Sequence, residues 1–106
     1  MTTLVLESDP IAERVEFTPD HLVVHLTDGR MFAVPLGWFP RLQHATDDER
    51  AHWQLIGGGY AVEWPDLDEH VGVEGLLAGR RSGESERSLR RWYEERGIAW
   101  DDQTPG

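Results

Sequence analysis

Two apolar runs, residues 22–26 and 31–36, flank a short polar segment that contains Asp28-Gly29. Asp-Gly between alternating apolar residues is the strongest short-range hairpin signal, because a tight turn needs positive φ values that Gly and Asp tolerate. If the loop is Asp28-Gly29 alone, Leu26 faces Met31 and Val24 faces Ala33, while His25 meets Phe32 and Val23 meets Val34 on the other side. Both faces are then apolar and both need cover. The helices of the chain supply one cover, and a loop, a second copy or a partner supplies the other. A bulge would shift the register and remove that requirement.

Around the hairpin the chain reads in order. Residues 1–10 form an extended arm in which Leu4-Val5-Leu6 suits addition to a sheet edge or disorder. Residues 14–17 make a short strand with Val15 and Phe17 on one face, and Thr18-Pro19-Asp20 turns the chain. Pro35 and Pro40 bracket Trp38-Phe39, two large rings on a stiff connector, and residues 40–45 suit a short helical turn. Thr46-Asp47-Asp48-Glu49 is a capping box that opens a central helix. Trp53 and Ile56 form its buried stripe, and Gly57-Gly58-Gly59 ends it. Residues 60–64 alternate as a strand, 65–70 form an acidic loop, 71–73 a short strand and 74–79 a turn or short helix. After a polar linker at 80–84, Ser85 caps a last helix to about Arg96, stopped by Gly97. Its stripe is Leu89, Trp92 and Tyr93 at helical spacing, and Glu86 with Arg90 is a favoured i, i+4 pair. The expected fold class is α+β: a small antiparallel sheet built on the hairpin, packed with the capped central helix and the C-terminal helix. The expected organisation is an arm at 1–10, a core domain at 11–79, and a linker, helix and tail at 80–106.

Composition narrows the function classes. The 106 residues suit one domain with a modest core. No apolar run of ~18 residues exists for a membrane span, and the N-terminus lacks the basic region of a secretory signal, so a cytoplasmic protein is expected. With no cysteine, thiolate metal sites, disulfides and cysteine nucleophiles are excluded. The net charge of −10 is unevenly spread. Residues 1–60 carry nine acids against four arginines, residues 61–79 five acids and no base, and residues 80–106 six of each. All ten basic residues are arginine. Nucleic-acid binders show a basic footprint; residues 1–79 show the reverse, which leaves only the arginines of residues 80–96 for such a role.

The candidate chemistry is sparse. Glu63, Asp66, Asp68, Glu69 and His70 form the densest polar cluster, but Asp66-Leu67-Asp68-Glu69 lacks the alternation and central Gly of a Ca²⁺ loop. A solvated acidic loop that docks basic residues is the expectation. His21, His25, His44, His52 and His70 show no metal-site spacing, and Ser8, Ser82, Ser85 and Ser88 lie outside any nucleophile elbow. The triple glycine follows a helix and precedes a strand, the reverse of a phosphate loop. No catalytic residue, metal site or cofactor is expected. Trp38, Phe39, Trp53, Tyr60 and Trp64 suit a core, although adjacent rings rarely both face inward, so one of Trp38 and Phe39 is available to a partner. On the last helix, Trp92 with Arg87 and Arg91 has the aromatic-arginine composition of interface hot spots, or the stripe packs on its own domain.

The block from Leu26 to Leu42 is followed by further motifs in fixed order. These are residues 46–53, Leu55-Ile56-Gly57, Trp64-Pro65-Asp66-Leu67-Asp68-Glu69 and Val73-Glu74-Gly75-Leu76-Leu77-Ala78-Gly79. Together they resemble the bacterial family of domain of unknown function 2442. Ser82-Gly83-Glu84-Ser85 and Leu89-Arg90-Arg91-Trp92 resemble the extension of its longer members, so the likeness spans residues 12–96. His70 departs from the acidic residue expected there, and Gly72 from a commoner Ser. The resemblance implies a small α+β domain, found alone or fused to a helix-turn-helix domain for which this chain is expected to be too short. Family members sit beside genes for another small domain, in an arrangement that resembles toxin–antitoxin pairs. The resemblance brings no catalytic residues.

The leading expectation is a non-enzymatic protein-binding domain, the antitoxin-like member of a bacterial two-gene module. It would bind a basic protein partner through Trp38, Phe39, Glu63, Asp66, Asp68, Glu69, Arg87, Arg91 and Trp92. The alternatives are an accessory subunit of a larger defence or nucleoprotein complex that docks through residues 80–96, and a small metal-dependent hydrolase using Asp66, Asp68 and His70.

Overall fold

The computed structural model describes residues 9–100. Most of the expected N-terminal arm, with Leu4-Val5-Leu6, and the tail beyond Trp100 lie outside the described residues. The fold is α+β, and the described residues form two three-stranded antiparallel sheets where a single one was expected. The first sheet has strands β1 (Ala12–Phe17), β2 (His21–Leu26) and β3 (Met31–Pro35) in that order. The second has β4 (Gln54–Ile56), β5 (Ala61–Trp64) and β6 (Glu69–Gly72). Helices α1 (Pro40–Gln43) and α2 (Asp47–Ala51) connect the sheets, and α3 (Val73–Leu77) and α4 (Glu86–Glu95) follow β6.

The hairpin forms with its register shifted by one residue. The Leu26 N–H donates to the Arg30 carbonyl at 2.8 Å, and Gly29 closes the loop with φ +93°. The loop is therefore three residues, Thr27 to Gly29, in which a left-handed glycine makes a bulge. Val24 now faces Phe32, and Leu22 faces Val34. Leu22, Val24, Leu26 and Val34 are buried, whereas Met31 is 65% exposed and Ala33 lies open. One slip of register sorts the apolar residues onto one face. The expectation of two apolar faces, and of a second cover, falls with it. Pro35 ends β3 at the sheet edge, where a missing N–H costs no ladder bond.

The central helix is shorter than expected. Its capping box is present: Thr46 Oγ1 accepts from the Glu49 N–H, and Glu49 accepts from the Thr46 N–H. It stops at Ala51, and Gln54, Leu55 and Ile56 pair instead with Glu63, Val62 and Ala61. Gly57, Gly58 and Gly59 are therefore a hairpin turn, not a helix cap, with φ values of +62°, +72° and +113°. A C-cap needs one left-handed residue, and three in succession reverse the chain.

The two sheets meet where β1 enters. The Ala12 N–H donates to the Gly59 carbonyl at 2.8 Å, while the bond from the Val73 N–H to the Tyr60 carbonyl at 3.0 Å extends the β5–β6 ladder. Between the sheets lies one core cluster that includes Leu22, Val24, Phe39, Leu42, Trp64 and Leu67. Trp64 is fully buried, and its indole N–H donates to the Arg50 carbonyl at 3.0 Å. Leu89, Trp92 and Tyr93 of α4 belong to the same cluster, so the last helix packs on its own domain. As expected, Ser85 caps it, Glu86 pairs with Arg90 at 3.0 Å, and Gly97 follows with φ +71°.

Candidate functional site

The acidic segment folds so that its side chains diverge. Pro65-Asp66-Leu67 makes one tight turn with Leu67 buried, and Asp68 takes the left-handed conformation at φ +51°. Along β6, Val71 is buried and Glu69 half-buried, whereas His70 and Gly72 are exposed, the alternation of a strand. Glu69 lies opposite Trp64 on the core side, and His70 lies opposite Glu63 on the outer side. Glu63 accepts from Gln54 Nε2 at 2.6 Å. Asp66 is 2.7 Å from His52 Nδ1. Asp66, Asp68 and His70 are thus not gathered, and among the described residues no three such groups are placed to hold a metal ion.

What does converge is a polar joint. Arg41 on α1 donates through Nε to both Glu84 oxygens, at 2.9 and 3.1 Å, and through Nη1 to the Leu67 carbonyl at 2.7 Å. The Arg41 and Glu84 side chains are only 14% and 15% exposed. Ser88 Oγ on α4 donates to Glu84 at 2.6 Å. Burial pushes the Glu84 carboxyl up, but the Arg41 and Ser88 hydrogen bonds outweigh it and hold the group below the usual carboxylate range. A second joint ties α4 to α2: Arg96 Nη1 donates to Glu49 Oε2 at 2.9 Å, and Nη2 binds the other oxygen. Hydrogen bonding from Arg96, with the capping box, brings Glu49 down to about 2. Trp92 lies between these joints, its ring 5.4 Å from the Arg41 guanidinium carbon and 4.6 Å from that of Arg96.

Arg41, Glu69, Glu84 and Ser88 line a groove of about 590 Å³, together with His70 and Arg80. Among the described residues no hydrogen bond joins His70 to Ser88 or Asp68, so the groove lacks the base–nucleophile geometry of a hydrolytic triad. Glu69 has the most perturbed carboxyl in it. Burial raises it to about 7; the nearby Glu84 charge adds to this, Arg41 opposes it, and Asp68 adds again. Ionising Glu69 costs more in the folded chain than in the unfolded one, so this group erodes stability as pH rises from about 4.5 to about 7. Glu69→Gln is therefore expected to melt higher than the wild type at pH 8. The expected gain is about 1–2 kcal/mol, less than the about 3.4 kcal/mol that the whole shift from 4.5 to about 7 would give, because water reaches the groove. The difference should shrink as pH falls and vanish below about pH 4, as thermal melts across that range would show. Equal gains at pH 5 and 8 would mean that Glu69 ionises as freely folded as unfolded.

One family model matches residues 12–82, about two thirds of the chain. The chain belongs to that family, described as Protein of unknown function (DUF2442). Among solved structures, this DUF2442 chain is similar to a protein of unknown function from Rhodospirillum rubrum. The two share 28% identity with a TM-score of 0.63 over 73% of this chain and 95% of that one. It is also similar in fold to an uncharacterized protein from Chromobacterium violaceum, with 23% identity and a TM-score of 0.59 over 85% of this chain and 79% of the other. No curated protein matches.

Within this DUF2442 fold the residues expected to contact a partner divide into two groups. Phe39 and Trp92 are 4% and 8% exposed; both rings pack in the core and present no contact surface. Trp38 is half-buried with Arg81 stacked 5.0 Å over its ring, and Glu69 faces inward. Asp66, Asp68, Arg87 and Arg91 are exposed and Glu63 is half-buried. Arg87 and Arg91 line a shallow depression on α4 with Glu86, Arg90 and Glu94, so positive charge there alternates with negative. Sequence reasoning missed Arg41, Glu49, Glu84 and Arg96 as partners. Arg41 and Glu84 are 43 residues apart, and Glu49 and Arg96 are 47 apart, so no local pattern marks either pair. Among the described residues five arginines lie over aromatic rings, Arg41, Arg50, Arg81, Arg90 and Arg96. Planar guanidinium groups suit this stacking better than lysine would.

Proposed function

We infer that this chain is a non-enzymatic protein-binding domain that receives a basic protein partner on its acidic surface, in the role of the antitoxin-like member of a bacterial two-gene module. One observation supports the reading above the others: three of the five acids of residues 61–79 stand outward on a fixed frame. Asp66, Asp68 and Glu74 are exposed, and no basic residue interrupts the segment. Leu77, 44% exposed, lies three residues after Glu74 on α3, so an apolar side chain shares that face with an acid. Charge of one sign around an exposed apolar group steers a partner of opposite charge and gives it something to bury.

The test is co-purification of the tagged chain expressed from its native operon. The expected result is capture of the neighbouring gene product by the wild type and its loss from the triple variant Asp66→Lys, Asp68→Lys, Glu74→Lys. These surface changes should move stability by about 0.5 kcal/mol or less each. Equal capture by both proteins would place the contact elsewhere. Salt-dependent RNA or DNA binding that disappears on Arg87→Ala and Arg91→Ala would replace this reading with the nucleoprotein one.

A further inference from the structure

The last helix is attached to the domain in the manner of a ligand. The family match stops at residue 82, before the Ser85 cap of α4, although α4 places Leu89, Trp92 and Tyr93 in the core. The Rhodospirillum protein is almost wholly covered by about three quarters of this chain, so a similar fold exists on a shorter polypeptide. The surface beneath α4 is built by residues inside the family match. Arg41 grips Glu84 and, through it, Ser88, while Glu49 grips Arg96. Pro65 and Leu67 share a cleft with Trp92, and His44 meets the Tyr93 ring edge-on at 5.0 Å. Such a surface reads a defined pattern on one helix: an acid before the N-cap, a Leu-x-x-Trp-Tyr stripe, and an arginine after the last turn. The connection is a short, largely exposed segment at 79–83. Its ties are the Gly79 N–H to the Leu76 carbonyl at 3.0 Å, the Arg80 N–H to the Gly75 carbonyl at 2.9 Å, the Ser82 N–H to the Trp38 carbonyl at 3.0 Å and Arg81 stacked over the Trp38 ring.

We propose that the surface formed by α1, α2 and the Pro65–Leu67 turn is a helix-receiving site, filled in cis by α4, and that α4 of a second copy of this chain fills it when the cis path is closed. The pattern that the surface reads is the one this chain carries on its own α4, so a second copy presents the same helix. Exchange of an identical element needs no new contact, only a linker that cannot turn back. With the native linker the cis helix wins because tethering gives it an effective concentration in the millimolar range. The proposal goes beyond the acidic docking surface and stands without it.

Deleting residues 81–83 removes about 10 Å of reach and is the direct test. The shortened chain is expected to elute at twice the 12.1 kDa monomer mass by light scattering, while the native-linker chain remains monomeric. A labelled synthetic peptide of residues 84–100 should compete with that dimer and dissociate it, and the same peptide carrying Trp92→Ala should bind at least tenfold more weakly. As a second measurement on a fully folded starting point, a protease site is placed after Gly83 and cut. The severed helix should stay bound at high concentration and exchange with the labelled peptide on dilution. A shortened chain that stays monomeric, a cut chain that unfolds, or binding indifferent to Trp92→Ala would each overturn the proposal.

Discussion

Arg41→Ala is expected to destabilise the chain by about 3–5 kcal/mol, the cost of leaving one partner of a buried ion pair without its counter-charge. The magnitude follows from what Arg41 holds. Its guanidinium satisfies both oxygens of Glu84 and the Leu67 carbonyl and covers one side of Trp92. Both members of the pair are about one-seventh exposed, so water cannot take over those bonds as it does for a surface pair worth about 1 kcal/mol or less. Removing Arg41 also removes the cation that opposes the upward push on Glu69, leaving two half-buried carboxylates facing one another. Against a total stability of about 5–15 kcal/mol for a domain, thermal melting should fall by roughly 15–25 °C. The double replacement Arg41→Met with Glu84→Leu should recover most of that loss, because an apolar pair of similar shape leaves no charge behind. A single replacement that costs no more than about 1 kcal/mol would show that the joint is solvated and holds nothing.

The parts of this fold that local chemistry dictates were legible in the sequence, and those set by distant pairing were not. The Thr46 capping box, the Ser85 cap, the Glu86–Arg90 pair and the Gly97 stop each depend on residues within four positions, and each is present. The hairpin was legible as an element, but its register was not. A two-residue and a three-residue loop use the same Asp-Gly, and only burial of Val34 with Leu22 and Val24, in place of Met31 and Ala33, decides between them. β4 was misread because a capping box announces where a helix begins and says nothing about where it ends. Gln54, Leu55 and Ile56 became a strand because β5 was there to pair with, a tertiary preference that overrides local propensity. The candidate site divides in the same way. The acids of residues 61–79 are visible as charge, whereas the partner that each finds, and the inward turn of Glu69, follow from strand alternation and from Arg41 arriving from another element.

Gly59→Ala should cost about 3–5 kcal/mol, the sum of a left-handed backbone penalty of about 1–3 kcal/mol and a steric overlap of similar size. Gly59 holds φ at +113°, and a Cβ placed there would meet the Ala12 carbonyl oxygen at 2.4 Å and Ile11 Cγ2 at 2.6 Å. The first of these contacts is with backbone, so no rotamer change relieves it. The strand entering β1 would have to move away, and the bond from the Ala12 N–H to the Gly59 carbonyl, which joins the two sheets, would lengthen or break. Gly58 is the control within the same turn. It is also left-handed, at φ +72°, but a Cβ there would find nothing within 4 Å. Gly58→Ala should therefore carry the backbone penalty alone, about 1–2 kcal/mol, and Gly58→Asn less still, since Asn tolerates that conformation. Urea unfolding of the three variants measures the contrast directly. Equal losses at positions 58 and 59 would mean that the sheets are not locked at this joint. A larger loss at 59 means that the triple glycine is required by the close approach of two strands as well as by the turn.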